Sequence, residues 1–341
     1  MALIQVPQGA TLIYAYMSYT LTLESPQTLT FSWNKLRHLR WDHTFVLPCW
    51  LEAWWQVFGS RAELYLCAIK QKETVIGIAP LLLKEGKASF IGSADVCDYL
   101  DFVVAPKREQ DFFDILLDGL KQKGINRLDL NCLRPDSTTA THLVTIARNR
   151  GCEVSFKPDG VSLELNLPAT WQEYLAILNA KQRHELKRKL KRLWEAGDAD
   201  YRIVKDSEAV PYLVDIFLKL FRDSREDKAT FMTAQRESFF RSVSKGMSEA
   251  GLLRLGILEL NTSPVATIMY LDFNDKVYLY NSGYDPQYRH LSVGLLSKAL
   301  CIKDSIQRGK KRFDFLKGAE AYKYRLGGKE TPIFSCQIVL K

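Results

Sequence analysis

Short β-rich segments alternate with amphipathic helical segments along the whole chain of 341 residues, and this alternation limits the possible folds most strongly. Strand patterns that alternate with helix patterns are typical of a mixed α/β protein. The order of the signals recurs in each half: a hairpin, a strand, a helix and a further strand. The sequence therefore predicts an α/β fold with a mixed (α+β) sheet and two similar domains, residues 1–165 and 166–341.

In the first half, the polar turn at residues 70–73 separates two β-rich runs and indicates a hairpin. Glycines directly follow the predicted helices and are typical stop signals. The predicted helices cover residues 45–59, 110–123 and 138–150, and the predicted strands cover residues 64–69, 74–83, 90–92, 100–104, 127–131 and 161–167.

In the second half, a long basic helix is predicted over residues 171–196, because Thr170 and Glu173 form a capping box and Gly197 is a typical stop signal. A polar turn at residues 261–263 indicates a second hairpin. Further helices are predicted over residues 210–222 and 292–307, and strands over residues 252–260, 265–273, 276–281, 312–315 and 333–340.

Composition narrows the class of protein. Hydrophobic residues make up 47% of the chain and charged residues 25%, which excludes a mainly disordered protein. No apolar run approaches the ~20 residues that cross a bilayer, so no stable membrane insertion is expected, and the N-terminus lacks the pattern of a secretory signal. The seven cysteines form no C-x-x-C pair, which predicts free, mostly buried thiols in a cytoplasmic protein. The net charge of +8 favours anionic partners.

Several motifs of common enzymes are absent from the sequence. It has neither a G-x-G-x-x-G nor a Walker phosphate loop, and it has no H-E-x-x-H. The five histidines show no metal-ligand spacing, so no metal is predicted. Residues 290–294 lack the first glycine of a nucleophile elbow and therefore do not favour a serine hydrolase.

The segment at residues 277–328 is the most informative. A strand there ends at Asn281-Ser282-Gly283, and the next helix begins at Ser292-Val293-Gly294. A helix N-terminus offers free amides and about half a positive charge, and a glycine lets a ligand approach the backbone. The segment predicts either a pyrophosphate site or an ordinary strand–loop–helix connection.

The sequence resembles the GNAT acyltransferase superfamily, and within it the two-domain CelD-type acyltransferases, which are related to the FemABX aminoacyl ligases. The resemblance extends over about residues 40–330 and implies tandem GNAT-like domains with the acyl donor in the C-terminal one. It is carried by W-x-x-x-W-W at residues 50–55, G-I-A-P-L at 77–81, D-Y-L-D at 98–101, a basic segment at 183–192, G-Y-D at 283–285 and G-x-x-x-Y-K-x-R at 318–325.

The activity that the resemblance implies is attack of an amine on the thioester of acyl-CoA or an acyl carrier protein. The acceptor is expected to be a sugar, an amino acid or a peptide. Of the glycines in the family's phosphate loop, only Gly294 is present. Residues predicted to bind the donor are Gly283, which is also expected to form a strand bulge with an exposed amide, Arg289, Ser292, Val293, Gly294 and Arg183.

The chemistry needs a group that stabilises an oxyanion and an acid for the leaving thiolate. Lys323 lies in the segment that resembles the place where Fem-type enzymes have a lysine, and it is predicted to stabilise the oxyanion or a donor phosphate. Tyr322 or Tyr324 is predicted to protonate the leaving group. A solvated lysine and packed tyrosine rings are the alternatives.

Three carboxylates complete the predicted catalytic set. Asp314 alternates with Phe313 and Phe315 and is therefore expected to face the cleft. Asp98 and Asp101 follow a strand of the first half and are predicted to bind a cationic acceptor or relay its proton. Turn or cap chemistry is the alternative for all three carboxylates.

Two further hypotheses remain open. The helix predicted over residues 171–196 contains seven basic and three acidic residues, which favours a FemABX-like ligase that uses aminoacyl-tRNA. No paired helical insertion typical of a tRNA-binding coiled-coil arm is predicted. The reduced phosphate loop favours a catalytically silent GNAT-like scaffold that binds an anionic partner.

Overall fold

The computed structural model describes residues 11–14, 19–93 and 95–340, and the chain divides into two compact units. Unit 1 is Met1–Gly160 with Pro332–Lys341, and unit 2 is Val161–Thr331. The sequence predicts a boundary between residues 165 and 166, with the whole C-terminal end in the second domain. In the structure, the chain enters unit 2 within one long strand and returns to unit 1 within its last strand.

Unit 1 contains a mixed sheet with the strand order β1-β2-β3-β4-β5-β7-β14, with β6 beside β4. The strands are β1 (Thr11–Tyr14), β2 (Tyr19–Leu23), β3 (Glu63–Gln71), β4 (Thr74–Lys84), β5 (Lys87–Phe90), β6 (Val103–Val104), β7 (Arg127–Leu133), the first part of β8 (Glu153–Asn166) and most of β14 (Lys329–Val339). The α-helices are α1 (Pro26–Phe31), α2 (Trp33–Leu36), α3 (Pro48–Phe58), α4 (Glu109–Gln122) and α5 (Val144–Asn149), and a π-helical turn, Thr139–Leu143, precedes α5.

The predicted hairpin of unit 1 is β3 and β4, and its turn is tight because Lys72 adopts a left-handed conformation with φ of 53°. Ile69 and Ile78 on these strands are buried in the core. β5 and β7 are parallel and connected through α4, whereas the other neighbouring strands of unit 1 are antiparallel.

Unit 2 repeats this arrangement with the strand order β8-β13-β12-β11-β10-β9. Only β12 and β13 are parallel among these pairs, and α11 connects them. The remaining strands are β9 (Ala199–Val204), β10 (Leu253–Leu260), β11 (Ser263–Phe273), β12 (Lys276–Tyr284) and β13 (Arg312–Lys317). The helices are α6 (Trp171–Ile177), α7 (Ala180–Glu195), α8 (Val210–Asp223), α9 (Glu226–Phe231), α10 (Ala234–Glu249), α11 (Val293–Gln307) and α12 (Ala321–Arg325), with a 3-10 helix at Pro286–Leu291.

The long helix predicted over residues 171–196 is two helices, so the prediction of one continuous helix is wrong. Thr170 and Glu173 form the predicted capping box of α6. A second capping box, in which Asn179 and Gln182 bond each other's backbone amides, begins α7. Leu178 between them is extended and buried. The helix breaks here because Asn179 satisfies the first amides of a new helix.

The two parallel strands of unit 2 pair only at their beginnings. Lys276–Tyr278 pair with Arg312–Asp314, but β12 continues to Tyr284 and β13 to Lys317 without further pairing between them. We call residues 279–284 of β12 and 315–317 of β13 the strand fork. β12 also contains a bulge at residues 279–280, opposite Tyr270 of β11.

No helix among the described residues is both long and apolar enough to cross a membrane. The seven cysteines are free, and all but Cys49 are buried.

Candidate functional site

Three lysines from three helices lie at the strand fork: Lys228 on α9, Lys298 on α11 and Lys323 on α12. Their charges are close enough for Lys228 and Lys323 both to disfavour the charged form of Lys298. We call these three residues the lysine cluster. The fold brings them together from positions up to 95 residues apart in the sequence (323 − 228 = 95).

Lys323 is almost completely buried, with 2% of its surface exposed. Its Nζ donates to the carbonyl oxygens of Leu316, Lys317 and Gly318 at 2.9, 2.7 and 3.1 Å, and it forms an ion pair with Glu320 at 2.9 Å. An ammonium has three N–H donors, so these acceptors use all of them. Lys323 is predicted from the sequence to stabilise the oxyanion or a donor phosphate, whereas in the structure its ammonium holds the carbonyl oxygens at the end of β13.

Lys298 is a buried lysine that the sequence analysis did not identify. Its Nζ donates to the carbonyl oxygen of Gly294 at 2.7 Å and lies 4.8 Å from the centroid of the Tyr322 ring. Burial lowers the pKa of Lys298 to about 7, and the charge of Lys228 adds to this effect. Lys298 therefore changes protonation close to neutral pH.

Lys228 of α9 is partly buried and contacts β12, the other strand of the fork. Its Nζ donates to the carbonyl oxygen of Ser282 at 2.5 Å and lies 4.7 Å from the Phe221 ring centroid. Burial lowers the pKa of Lys228 to about 8, with a smaller contribution from the charge of Arg225. A lysine inside the apolar pattern of α11 is a signal that identifies Lys298 from sequence, but no local pattern marks Lys228.

Asp314 is buried and stabilises an irregular end of β13. Its Oδ1 accepts a hydrogen bond from the amide of Leu316 at 2.8 Å, and Leu316 is left-handed with φ of 64°. Asp314 was predicted to face the cleft, as opposed to Phe313 and Phe315, but all three side chains are buried. The carboxylate therefore acts on its own backbone, which is the turn chemistry considered as the alternative.

The two tyrosines of α12 have different surroundings. The ring of Tyr322 lies against Lys298 and near Phe315. The Tyr324 hydroxyl donates to Glu330, and this hydrogen bond raises the pKa of Tyr324. Of the two predicted acids for the leaving group, Tyr322 is therefore the one that lies in the lysine cluster.

The connection from β12 to α11 contains the residues predicted to bind the donor. Asp285 caps the 3-10 helix by accepting from the Gln287 amide at 2.9 Å. Ser292 is left-handed, with φ of 61°, and its carbonyl oxygen accepts from the amides of Leu295 and Leu296. Arg289 is exposed in this connection, and Val293 is buried in the core of unit 2.

Packing accounts for two of the predicted glycines. A Cβ at residue 294 would lie 2.8 Å from the Tyr284 ring, so Gly294 makes room for that ring. A Cβ at residue 283 would lie 2.3 Å from the Phe221 amide nitrogen, so Gly283 lets α8 lie against β12. The bulge predicted at Gly283 is at residues 279–280 instead.

The basic helix α7 is attached to the same connection. Arg192 donates to the carbonyl oxygen of His290. Arg183, predicted to bind the donor, has its Nη1 3.4 Å from the carbonyl oxygen of Leu175 at the end of α6. Basic side chains of α7 that remain exposed are Lys181, Lys187, Arg188 and Lys191.

Asp98 and Asp101 belong to unit 1, whereas the rest of the predicted set belongs to unit 2. Asp101 is buried and accepts from the Thr138 amide at 2.5 Å and from the amide and hydroxyl of Thr139 at 3.1 and 2.8 Å. Asp101 therefore caps the helical segment that begins at Thr139, which is the cap chemistry given as the alternative to binding a cationic acceptor or relaying its proton. Burial raises the pKa of Asp101 to about 6, against the effect of these hydrogen bonds.

Comparison with known proteins is consistent with this geometry. Residues 180–324 match the family model of an acetyltransferase (GNAT) domain. Among solved structures, the chain is similar to FemX, with a TM-score of 0.62 and 12% identity over 92% of this chain and 96% of that one. The search of curated proteins gives no match.

Two further solved structures share the fold. The C-terminal domain of a candidate lysylphosphatidylglycerol synthetase from Agrobacterium fabrum has a TM-score of 0.53 and 11% identity, over 78% of this chain and 81% of that one. L-PGS from Bacillus licheniformis has a TM-score of 0.51 and 9% identity, also over 78% and 81%. The predicted mixed α/β fold is confirmed, and residues 180–324 match the acetyltransferase (GNAT) domain model, in agreement with the resemblance.

Proposed function

We propose that unit 2 is an N-acyltransferase that moves an acyl group from acyl-CoA, or from an acyl carrier protein, to an amine. The observation that supports this most directly is the strand fork, where β12 and β13 stop pairing after three residue pairs. Unpaired strand edges bind extended chains that carry amide groups, and a pantetheine arm is such a chain. A donor bound there would have its thioester near the lysine cluster.

The start of α11 suits the diphosphate of such a donor. The first amides of a helix have no partner inside the helix, and they attract an anion. Val293 and Gly294 supply these amides, and the exposed Arg289 supplies a cation in the preceding turn. In this proposal these residues hold the donor through its phosphates, while the Tyr284 ring occupies the space beside the Gly294 Cα.

The proposed reaction is direct transfer. The nitrogen of a neutral amine attacks the thioester carbonyl, the C–S bond then breaks, and the products are an amide and a thiol. The proton released by the amine balances the proton taken up by the thiolate. Positive charge at the fork favours the oxyanion of the intermediate, and Tyr322 is the proposed donor of the proton to the thiolate.

Calorimetry and transfer assays with acetyl-CoA and longer acyl-CoA donors test the proposal. We expect saturable binding and an acylated amine product, and mass spectrometry of the purified protein is expected to reveal a bound CoA or phosphopantetheine species. Arg289→Gln is expected to weaken donor binding by about fivefold, because one charge-assisted contact is lost. Lys303→Gln on the far part of α11 is the control. Absence of binding and transfer with every donor contradicts the proposal.

A second candidate, transfer from aminoacyl-tRNA, is supported by the exposed basic face of α7 beside the connection from β12 to α11. Such a surface suits a polyanion, and the affinity for a polyanion would fall steeply as the salt concentration rises. A mobility-shift assay with charged tRNA at physiological salt tests this candidate. The double variant Lys187→Gln, Arg188→Gln is expected to reduce the shift. No shift, together with binding of acyl-CoA, would exclude it.

A further inference from the structure

We propose that Lys228 and Lys298 together bind an acid group, a carboxylate or a phosphate, on a substrate of the acyl transfer. This inference rests on the proposed function for the identity of the substrate as an acyl acceptor or acyl donor. It adds a second recognition site, made of side-chain ammonium groups, beside the backbone amides at the start of α11. It also assigns a role to two residues that no sequence motif identified.

The first observation is the imbalance of charge at the fork. Three lysines converge there, and Glu320 is the carboxylate that pairs with one of them, Lys323. Glu320 is itself about half exposed, with 49% of its side-chain surface accessible. Lys228 and Lys298 therefore bring positive charge into a partly buried region without an ion-pair partner of their own in the described part of the chain.

The second observation is the unused donor capacity of the two ammonium groups. Lys298 donates to Gly294 and Lys228 donates to Ser282, in each case to one carbonyl oxygen. Each ammonium has three N–H donors. Lys323 differs, because its neighbouring carbonyls and Glu320 use all three of its donors. The pair thus retains donors for a ligand, whereas Lys323 does not.

The third observation concerns the free energy of the charged forms of the two lysines. Burial disfavours both charged forms, and the charge of Lys228 further disfavours that of Lys298. An anion between the two ammonium groups would offset both effects by Coulomb attraction at short range. A bound acid would therefore stabilise the charged forms of both lysines.

Residues around the pair are partly exposed. Ser282 and Lys317, at the ends of the fork strands, are both of intermediate exposure, as are Gly318 and Tyr322. Lys298, with 6% of its surface exposed, is the more deeply buried of the two lysines. The Tyr322 ring lies on one side of the Lys298 ammonium, with its centroid 4.8 Å from Nζ.

The direct test is a titration of the full chain with inorganic phosphate and, separately, acetate, followed by NMR of ¹⁵N-labelled lysine side chains. We expect phosphate to raise the pKa of Lys298 by about one unit, as a neighbouring negative charge does. Lys298→Met and Lys228→Met are each expected to weaken phosphate binding at least about tenfold, because a charge-assisted contact is lost. Lys303→Met, a lysine of the same helix outside the cluster, is expected to leave it unchanged.

If Lys298→Met does not fold, Lys298→Arg is the second variant. It keeps the positive charge and is expected to retain phosphate binding. Binding that is equally strong in Lys298→Met and Lys228→Met overturns the proposal. A pKa of Lys298 that does not move at saturating phosphate also overturns it.

Transfer assays identify which substrate carries the acid. Glycine is compared with glycinamide as acceptor, and succinyl-CoA is compared with acetyl-CoA as donor. A preference of at least about tenfold for the acidic member of one pair, lost in Lys298→Met, assigns the site to that substrate. Equal use of both members in both pairs overturns the proposal. If no acyl transfer occurs but phosphate binding depends on both lysines, the proposed function fails while the anion site stands.

Discussion

At the scale of single residues, buried polar groups decide the local backbone of this protein. Lys323 holds three successive carbonyl oxygens at the end of β13, where Leu316 is left-handed and Asp314 bonds its amide. A carbonyl that loses its donor inside the protein costs about 1–3 kcal/mol. The role of Lys323 is therefore first of all to maintain the shape of the fork.

Replacement of Lys323 by methionine is predicted to lower the free energy of unfolding by about 3 kcal/mol, because buried carbonyls lose their donor. Urea unfolding followed by fluorescence measures this change. Lys303→Met, on a partly exposed lysine of α11, is expected to change stability by less than about 0.5 kcal/mol. A loss of activity in Lys323→Met with unchanged stability would instead favour the direct catalytic role.

Asp101 is predicted to make the stability of unit 1 depend on pH. Burial raises its pKa to about 6 in the folded state from the usual 3.8. The folded state therefore holds the proton of Asp101 more tightly than the unfolded state does. The contribution of Asp101 to the free energy of unfolding is largest below about pH 4. It is lost as the pH rises to about 6, and the loss amounts to about 3 kcal/mol.

Urea unfolding of Asp101→Asn between pH 4 and 7, compared with the natural protein, isolates this contribution. The variant cannot titrate at this position, so the difference in stability between the two proteins is expected to change by about 3 kcal/mol over that range. A difference that stays constant with pH would show that Asp101 does not titrate there.

At the scale of elements, close approach of α8 to β12 positions the fork. A Cβ at residue 283 would lie 2.3 Å from the Phe221 nitrogen and 2.7 Å from the Leu220 oxygen. Both are backbone atoms of a helix and cannot move independently. The strand can therefore pack here only with glycine.

Gly283→Ala is predicted to destabilise unit 2 by about 3 kcal/mol or more, because overpacking against a backbone shifts a whole helix. Gly294→Ala is expected to cost less, since it meets the Tyr284 ring, which can rotate. Thermal unfolding of both variants measures the difference. Equal destabilisation would contradict this account, and Tyr284→Ala is expected to relieve the effect at residue 294 alone.

At the scale of the whole molecule, the chain end completes the sheet of unit 1. β14 pairs antiparallel with β7, and Ile333, Ile338 and Leu340 are buried. Full burial of such a side chain contributes about 2 kcal/mol. Unit 1 is therefore formed from both ends of the sequence.

Deletion of residues 332–341 is predicted to destabilise unit 1 by about 5 kcal/mol, mainly through lost apolar burial. Hydrogen exchange is expected to show that β7 amides lose protection, while amides of β10 and β11 in unit 2 keep theirs. Protection of β7 that survives the deletion would contradict the assignment of the chain end to unit 1.

Local sequence patterns predicted many of the strands and helices of this protein. Pairs of β-rich runs separated by a polar turn predicted the hairpins β3–β4 and β10–β11, and a threonine-glutamate capping box predicted the start of α6. These signals are reliable because hydrogen bonding and burial within one element depend on residues a few positions apart. Several motifs in order, among them the one at residues 318–325, indicated a GNAT-like fold, and residues 180–324 match the acetyltransferase (GNAT) domain model.

Tertiary structure alone decided the chemistry of the fork. Lys228 and Lys298 come from different helices, and their charges interact only after α9 and α11 have packed at the ends of β12 and β13. Packing likewise places the Tyr284 ring against Gly294 and the Lys323 ammonium on backbone carbonyl oxygens. Burial, charge proximity and free space are properties of long-range packing, so no pattern of neighbouring residues predicts them.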